Sequence, residues 1–166
     1  AAGYESSIRV NINPTESASA DEFYMANLTV SMLDENGSLV ELYANIVANM
    51  SEVHDVVLTT PDSLAAVPGT IVTLPFDLQN TGNLVETVDV SIAIDGGWDT
   101  TPTTQTFTIP ISGSSSGTFD ITIPALDGTD NMLNGAIHDA NITVSSTATG
   151  EVYVESKVQL LVAPVF

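Results

Sequence analysis

Asn27-Leu28-Thr29-Val30-Ser31 returns near the far end of the chain as Asn141-Ile142-Thr143-Val144-Ser145, and this echo decides how the 166 residues divide. Working outward, Arg9 to Pro14, Asn27 to Ser31 and Leu39 to Met50 recur in order as Asp120 to Pro124, Asn141 to Ser145 and Glu151 to Val162. Ile12-Asn13-Pro14 matches Ile123-Pro124, and Gly37 and Gly150 mark the turn beside each long alternating run. A repeated supersecondary unit reads as an array of modules. Only the second copy is preceded by further strand-like runs. Residues 1–52 therefore read as the last three strands of a partial module, and residues 53–166 as a complete one. A partial module cannot bury its own apolar face, so its expected partners are other copies of the same chain.

The strands themselves are written in period two. Val72, Leu74, Phe76 and Leu78 alternate with Thr73, Pro75, Asp77 and Gln79, the pattern of a half-buried strand. The same alternation runs through Val88 to Ile94, Phe107 to Ile111, Phe119 to Ile123 and Val152 to Val162. With Val53 to Thr59 and Asp139 to Ser146, seven strands follow Val53, separated by Gly-, Pro-, Asn- and Ser-rich turns. That spacing fits an all-β, immunoglobulin-like antiparallel sandwich whose core includes Val72, Leu74, Phe76, Val90, Ile92, Ile121, Ile142, Val144, Val154 and Val158. Ile8, Val10 and Ile12, then Leu28 and Val30, then Val40, Leu42, Ile46 and Met50 predict three strands before it. Leu39 to Met50 also meets a helical spacing, but period two fits it better and the repeat aligns it with a strand. Asp34-Glu35-Asn36-Gly37 ahead of it is a hairpin signal, because Asn-Gly tolerates positive φ.

Val67-Pro68-Gly69-Thr70 entering a strand, Phe76-Asp77-Leu78-Gln79-Asn80-Thr81-Gly82-Asn83 leaving it, and Gly97-Trp98 after the next make the chain from Val67 onward resemble immunoglobulin-like modules of bacterial and archaeal surface proteins, including cell-adhesion-related and S-layer-associated types. The resemblance implies a spacer, adhesion or assembly module and brings no catalytic residues with it.

Charge narrows the partners. Against 21 Asp and Glu stand only Arg9 and Lys157, a formal charge of -19. Nucleic-acid binding relies on Lys and Arg neutralising phosphates, so DNA, RNA and anionic lipid are excluded as partners. An acidic surface suits divalent cations, high salt, or solubility through self-repulsion. No cysteine is present, hence no disulfide or thiolate metal site. No apolar run approaches the roughly 18 residues that span a bilayer, so membrane insertion is not expected. Ala1-Ala2-Gly3 suits the end left by a signal peptidase, which points to export.

Few motifs carry chemistry. Gly113-Ser114-Ser115-Ser116-Gly117 satisfies Gly-x-Ser-x-Gly, but a nucleophile elbow needs a strand, a strained turn and a helix, and strands flank this run. His138-Asp139 reads as a strand residue beside a surface carboxylate. No catalytic residue is assigned. Asp127, Asp130 and Asn131 share a short loop with Gly128 and offer the hard oxygen ligands Ca²⁺ takes, the one cofactor the sequence leaves open; Asp95 and Asp99 form a second acidic loop. Trp98 reads as a cap on the end of the sandwich rather than as a sugar platform. Asn27, Asn36, Asn49 and Asn141 are Asn-x-Ser/Thr acceptors for attached glycans.

These readings converge on a non-enzymatic structural subunit of an extracellular, cell-surface assembly (filament, pilus-like fibre or S-layer) built by β-strand complementation between copies. Ile8, Val10 and Ile12 at one end, and Leu160 and Val162 at the other, lie in the two candidate donor strands. The rival reading is a carbohydrate- or partner-binding accessory module of a larger secreted enzyme or adhesin.

Overall fold

Alternating side chains need strands, and strands are what form. In the computed structural model, which describes residues 9–12, 18–20, 23–125 and 135–164, every regular element is a strand. Contacts divide the chain into two units, residues 1–52 and 53–166.

The first unit holds one hairpin. Strands β1 (Phe23–Leu33) and β2 (Leu39–Asn49) pair antiparallel from Phe23↔Asn49 to Leu33↔Leu39. Asp34 closes the turn: its Oδ1 accepts the backbone N–H groups of Asn36 and Ser38, each at 2.8 Å. Gly37 sits at φ 79°, the left-handed region that favours glycine. The turn is longer than a two-residue Asn-Gly turn, because the Asp34 side chain takes over donors that a tighter turn would pair through the backbone.

The second unit is the sandwich. Its strands are β3 (Val56–Thr59), β4 (Ser63–Ala66), β5 (Ile71–Asn80), β6 (Glu86–Ile94), β7 (Thr100–Thr101), β8 (Thr104–Ile109), β9 (Ser114–Thr122), β10 (Ile137–Ser146) and β11 (Val152–Val162). One sheet has the order β4-β11-β10-β6-β8, the other β3-β5-β9-β7. All neighbours are antiparallel except β4 and β11, which run parallel. Two such sheets packed over one core make an immunoglobulin-like fold.

Inward positions of both sheets fuse into that core. Leu74, Phe76, Val90, Ile92, Ile121, Ile142, Val144 and Val158 are buried as their alternation predicts, and Val72 and Val154 are half-buried at its margin. Phe76 stacks on Phe119 with ring centroids 5.1 Å apart and meets Phe107 edge-on at 5.7 Å. Gly117 lies opposite Phe76 in the ladder, and a Cβ there would stand 2.5 Å from Phe76 Cζ. This glycine makes room for the rings.

Two short strands join the seven expected ones. Pro61, which has no N–H to give a ladder, ends the first run, and the chain crosses to the other sheet as β4. The hydroxyls of Thr60 and Ser156 lie 2.7 Å apart at this crossing, and Gln159 N–H donates to Asp62 O at 3.0 Å. Ser63-Leu64-Ala65-Ala66 lacks the β-branched and aromatic residues that mark strands in sequence. Strand β7 spans only two residues.

The expected third strand of residues 1–52 is not formed at residues 9–12, and Ile8 lies outside the described residues. The reason is a missing ladder. The equivalent run in the sandwich, Asp120 to Thr122, is held by β5 on one side and, at Asp120 and Ile121, by β7 on the other. Among the described residues, 9–12 have no such neighbours, and Val10 and Ile12 are 43% and 42% exposed.

Candidate assembly surface

The β1–β2 hairpin and the β10–β11 hairpin are the same object in different surroundings. Asn27 faces Asn45, Leu28 faces Ala44 and Val30 faces Leu42; Asn141 faces Lys157, Ile142 faces Ser156 and Val144 faces Val154. Overlaying these pairs places Ile46 on Val158, Ala48 on Leu160 and Met50 on Val162, the alignment of the sequence repeat. In the sandwich, β6 occupies the free edge of β10, β4 that of β11, and the inner face is buried. Among the described residues the β1–β2 sheet has two strands.

Its two faces differ in charge, and both carry apolar side chains. Tyr24, Ala26, Leu28, Val30 and Met32 pair with Ala48, Ile46, Ala44, Leu42 and Val40 on one face, which carries no charge. Leu42 is 55% exposed there and Met32 and Val40 are exposed too, whereas Tyr24, Leu28, Val30, Ile46 and Ala48 are half-buried. Each such side chain is worth about 1.5–3 kcal/mol when fully buried, and an isolated hairpin is marginal in water. The opposite face mixes Asn27, Thr29, Ser31, Glu41, Tyr43, Asn45 and Asn49 with Phe23, Met25, Leu33, Leu39 and Val47, all of them exposed. Glu41 accepts hydrogen bonds from the hydroxyls of Ser31, at 3.4 Å, and Tyr43. The contact with Glu41 holds the Tyr43 hydroxyl above its usual pKa.

The four acceptor asparagines are exposed: Asn27 and Asn49 on the same face of the hairpin as Glu41, Asn36 in its turn, and Asn141 on β10. Leu160 and Val162 are buried in β11, where β10 and β4 flank the strand, with Leu160 facing His138 and Leu64. Donating this strand to another copy would require opening the sandwich.

The loop bearing Asp127, Asp130 and Asn131 lies outside the described residues. Among those described, no group of three or more His, Asp or Glu side chains is placed to hold an ion. Between Asp95 and Asp99, Gly96 and Gly97 adopt positive φ and turn Trp98 inward, where it packs against the core with its ring 4.3 Å from that of His138. Ser114, Ser115 and Ser116 belong to β9, a regular strand rather than an elbow. No described helix is long and apolar enough to cross a membrane.

One polar cluster escaped the sequence reading. Glu86 is buried; its Oε1 lies 2.7 Å from His54 Nδ1, and its Oε2 accepts the Tyr153 hydroxyl at 2.9 Å. Burial, reinforced by Glu86, raises the Tyr153 pKa, although a hydrogen bond with Ser146 opposes it. The signal was present in the phase of β6, where Glu86 falls on the inward positions of Val88, Val90 and Ile92. Its partners satisfy a buried carboxylate. Close by, the turn Asn80 to Asn83 latches the entry to the sandwich: Asn83 Oδ1 accepts Val53 N–H at 2.8 Å, and Thr81 N–H donates to Asp55 O at 3.0 Å. A Cβ on Gly82 would stand 2.2 Å from Val53 O, so the close approach needs glycine.

No family model matches the chain, and no curated protein matches it in sequence. Solved structures similar to it include the CARDB domain of the PF1109 protein from Pyrococcus furiosus, in complex with di-metal ions, at 14% identity and a TM-score of 0.48, covering 69% of this chain and 96% of that one. The MSP family member WR4 of C. elegans is 11% identical with a TM-score of 0.41, over 64% of this chain and 97% of that one. The YadV chaperone is 14% identical with a TM-score of 0.44, over 68% and 53%. At these values the likenesses assign neither family nor activity.

Proposed function

We propose that this chain is a non-enzymatic structural subunit of an extracellular cell-surface assembly (filament, pilus-like fibre or S-layer) in which β-strands are completed between copies. One observation carries the reading: the same hairpin occurs twice, its inner face buried in residues 53–166 and only partly covered in residues 1–52. The inner face that the sandwich buries is left partly open here, and another copy is the partner this reading gives it. The immunoglobulin-like sandwich then acts as the folded spacer of the type found in cell-adhesion-related and S-layer-associated proteins. Exposed Asn27, Asn36, Asn49 and Asn141 are open to glycans, and the acidic surface to divalent cations, Ca²⁺ among them at the Asp127–Asn131 loop. Trp98 packs inward, which weighs against a carbohydrate platform.

The test is assembly of the full chain, followed by light scattering and negative-stain microscopy across a concentration series. Wild type forms multimers or fibres as concentration rises. Val10→Asp with Ile12→Asp remains dispersed and keeps the β-sheet spectrum of the sandwich. A wild-type chain that stays monomeric at every concentration, or a variant that still assembles, overturns the reading.

A further inference from the structure

We infer that His54 and Glu86 form an acid-tightened clasp on residues 53–55, the segment through which the chain enters the sandwich. Glu86 is 3% exposed, and His54 reaches its Oε1 with Nδ1 at 2.7 Å from a side chain that is 48% exposed. A carboxylate taken this far out of water calls for a countercharge as well as hydrogen bonds. Tyr153 donates a hydrogen bond to Oε2 at 2.9 Å but brings no charge.

Countercharge is scarce here. Residues 53–166 contain one lysine, two histidines and no arginine. Lys157 pairs with Asp139 at 2.8 Å, and His138 lies against Trp98 with its ring 4.3 Å away. Within the sandwich, His54 is therefore the group that can bring positive charge to Glu86, and it does so only when protonated. The other titratable groups around it supply none: Tyr153 on β11, Glu151 just ahead of β11 in the same cleft, and Asp55 beside it, whose Oδ2 accepts the Thr81 hydroxyl at 2.7 Å.

The clasp acts on a segment that lies outside any strand. The 80–83 turn fastens it at two points. Val53 N–H donates to Asn83 Oδ1 at 2.8 Å and Asn83 N–H to Val53 O at 3.0 Å, while the N–H groups of Thr81 and Gly82 donate to Asp55 O at 3.0 and 3.2 Å. His54 sits between these points, so its contact with β6 is a third fastening, and the one that titrates. A neutral imidazole with its proton on Nδ1 still donates to the carboxylate. Protonation makes the bond an ion pair as well, and pairing of opposite charges strengthens such bonds. Both groups are charged between about pH 4.3 and 6.5, the ordinary carboxylate and imidazole values. The contribution of positive His54 is complete below the upper bound and fades as pH rises past it; that of negative Glu86 is complete above the lower bound and fades as pH falls through it. Mild acid thus holds the segment hardest.

Exchange of the Val53 and Thr81 amides, both donors in the fastening, is followed by NMR in the full chain at about pH 5.5 and 7.5, on either side of the imidazole value, and corrected for intrinsic rates. Protection several-fold greater at the lower pH is expected. His54→Gln keeps a neutral donor on an exposed position and should abolish the difference, whereas His138→Gln should preserve it. Glu86→Gln that retains the β-sheet spectrum should abolish it as well; should that variant unfold, the two histidine variants decide. Equal protection at the two pH values in wild type, a difference that survives His54→Gln or folded Glu86→Gln, or one lost with His138→Gln overturns the inference. Assembly is not involved, so none of these outcomes bears on the strand-completion reading.

Discussion

Gly117→Ala is a one-methyl change whose cost follows from the geometry of three rings. The new Cβ would stand 2.5 Å from Phe76 Cζ and 2.9 Å from Phe107 Cζ, well inside contact distance. Phe76 cannot swing away, because it stacks on Phe119 at 5.1 Å and meets Phe107 edge-on at 5.7 Å in a buried cluster. Overpacking of this kind costs about 1–3 kcal/mol, against which the stiffer alanine backbone returns about 0.5–1 kcal/mol. The net loss is thus about 0.5–2 kcal/mol, which for a domain near 100 residues lowers the melting temperature by roughly 2–15 °C. Urea melts followed by near-ultraviolet circular dichroism check this, and Phe76→Leu in the same chain should recover part of the loss by removing the blocking ring atom. Equal stability of Gly117→Ala and wild type, or no recovery with Phe76→Leu, would refute the claim that the rings are held rigidly over this glycine.

Three further outcomes are expected. Raising NaCl from about 10 to 200 mM shortens the Debye length several-fold and promotes assembly of a chain of formal charge -19; light scattering that falls with salt contradicts this. Added Ca²⁺ at matched ionic strength raises the melting temperature further through Asp127, Asp130 and Asn131, and equal shifts from the two salts reject an ion site in that loop. Stability falls as pH rises above about 10. Tyr153 is raised above its ordinary 10.0, so the unfolded chain loses that proton first, and Lys157 is raised above 10.5 by Asp139, so its favourable pairing is lost as the pH climbs through its folded pKa. Denaturant melts of Tyr153→Phe and Lys157→Gln should each show a shallower alkaline loss than wild type; unchanged slopes would sink the assignment.

Much of the sandwich was legible because its strands bury one face, which forces an apolar residue at every second position: β5, β6, β9, β10 and β11 could be read in that way. Strand β4 was not, since Ser63-Leu64-Ala65-Ala66 owes its conformation to parallel pairing with β11 rather than to its own side chains. Glu86 was overlooked because a charged residue on an inward phase reads as the end of a strand until His54 and Tyr153 are seen to satisfy it. The hairpin was legible twice over, once by alternation and once by repetition. Val10 and Ile12 show the limit: their pattern states that they belong beside a strand, but no described residue supplies the ladder. For the candidate site, sequence alone offered two donor runs, and the burial of Leu160 and Val162 weighs against the second.

Amide hydrogen exchange read at two protein concentrations tests the central claim most directly, because Ala26 to Met32 and Ala140 to Ser146 are equivalent stretches on equivalent strands within one molecule. In dilute solution the account predicts fast exchange in the first stretch and strong protection in the second, where β6 and β11 flank β10. At high concentration protection should rise in Ala26 to Met32 and stay unchanged in Ala140 to Ser146. Fast exchange of the first stretch at every concentration, or equal protection of both in dilute solution, would contradict completion of the hairpin by another copy.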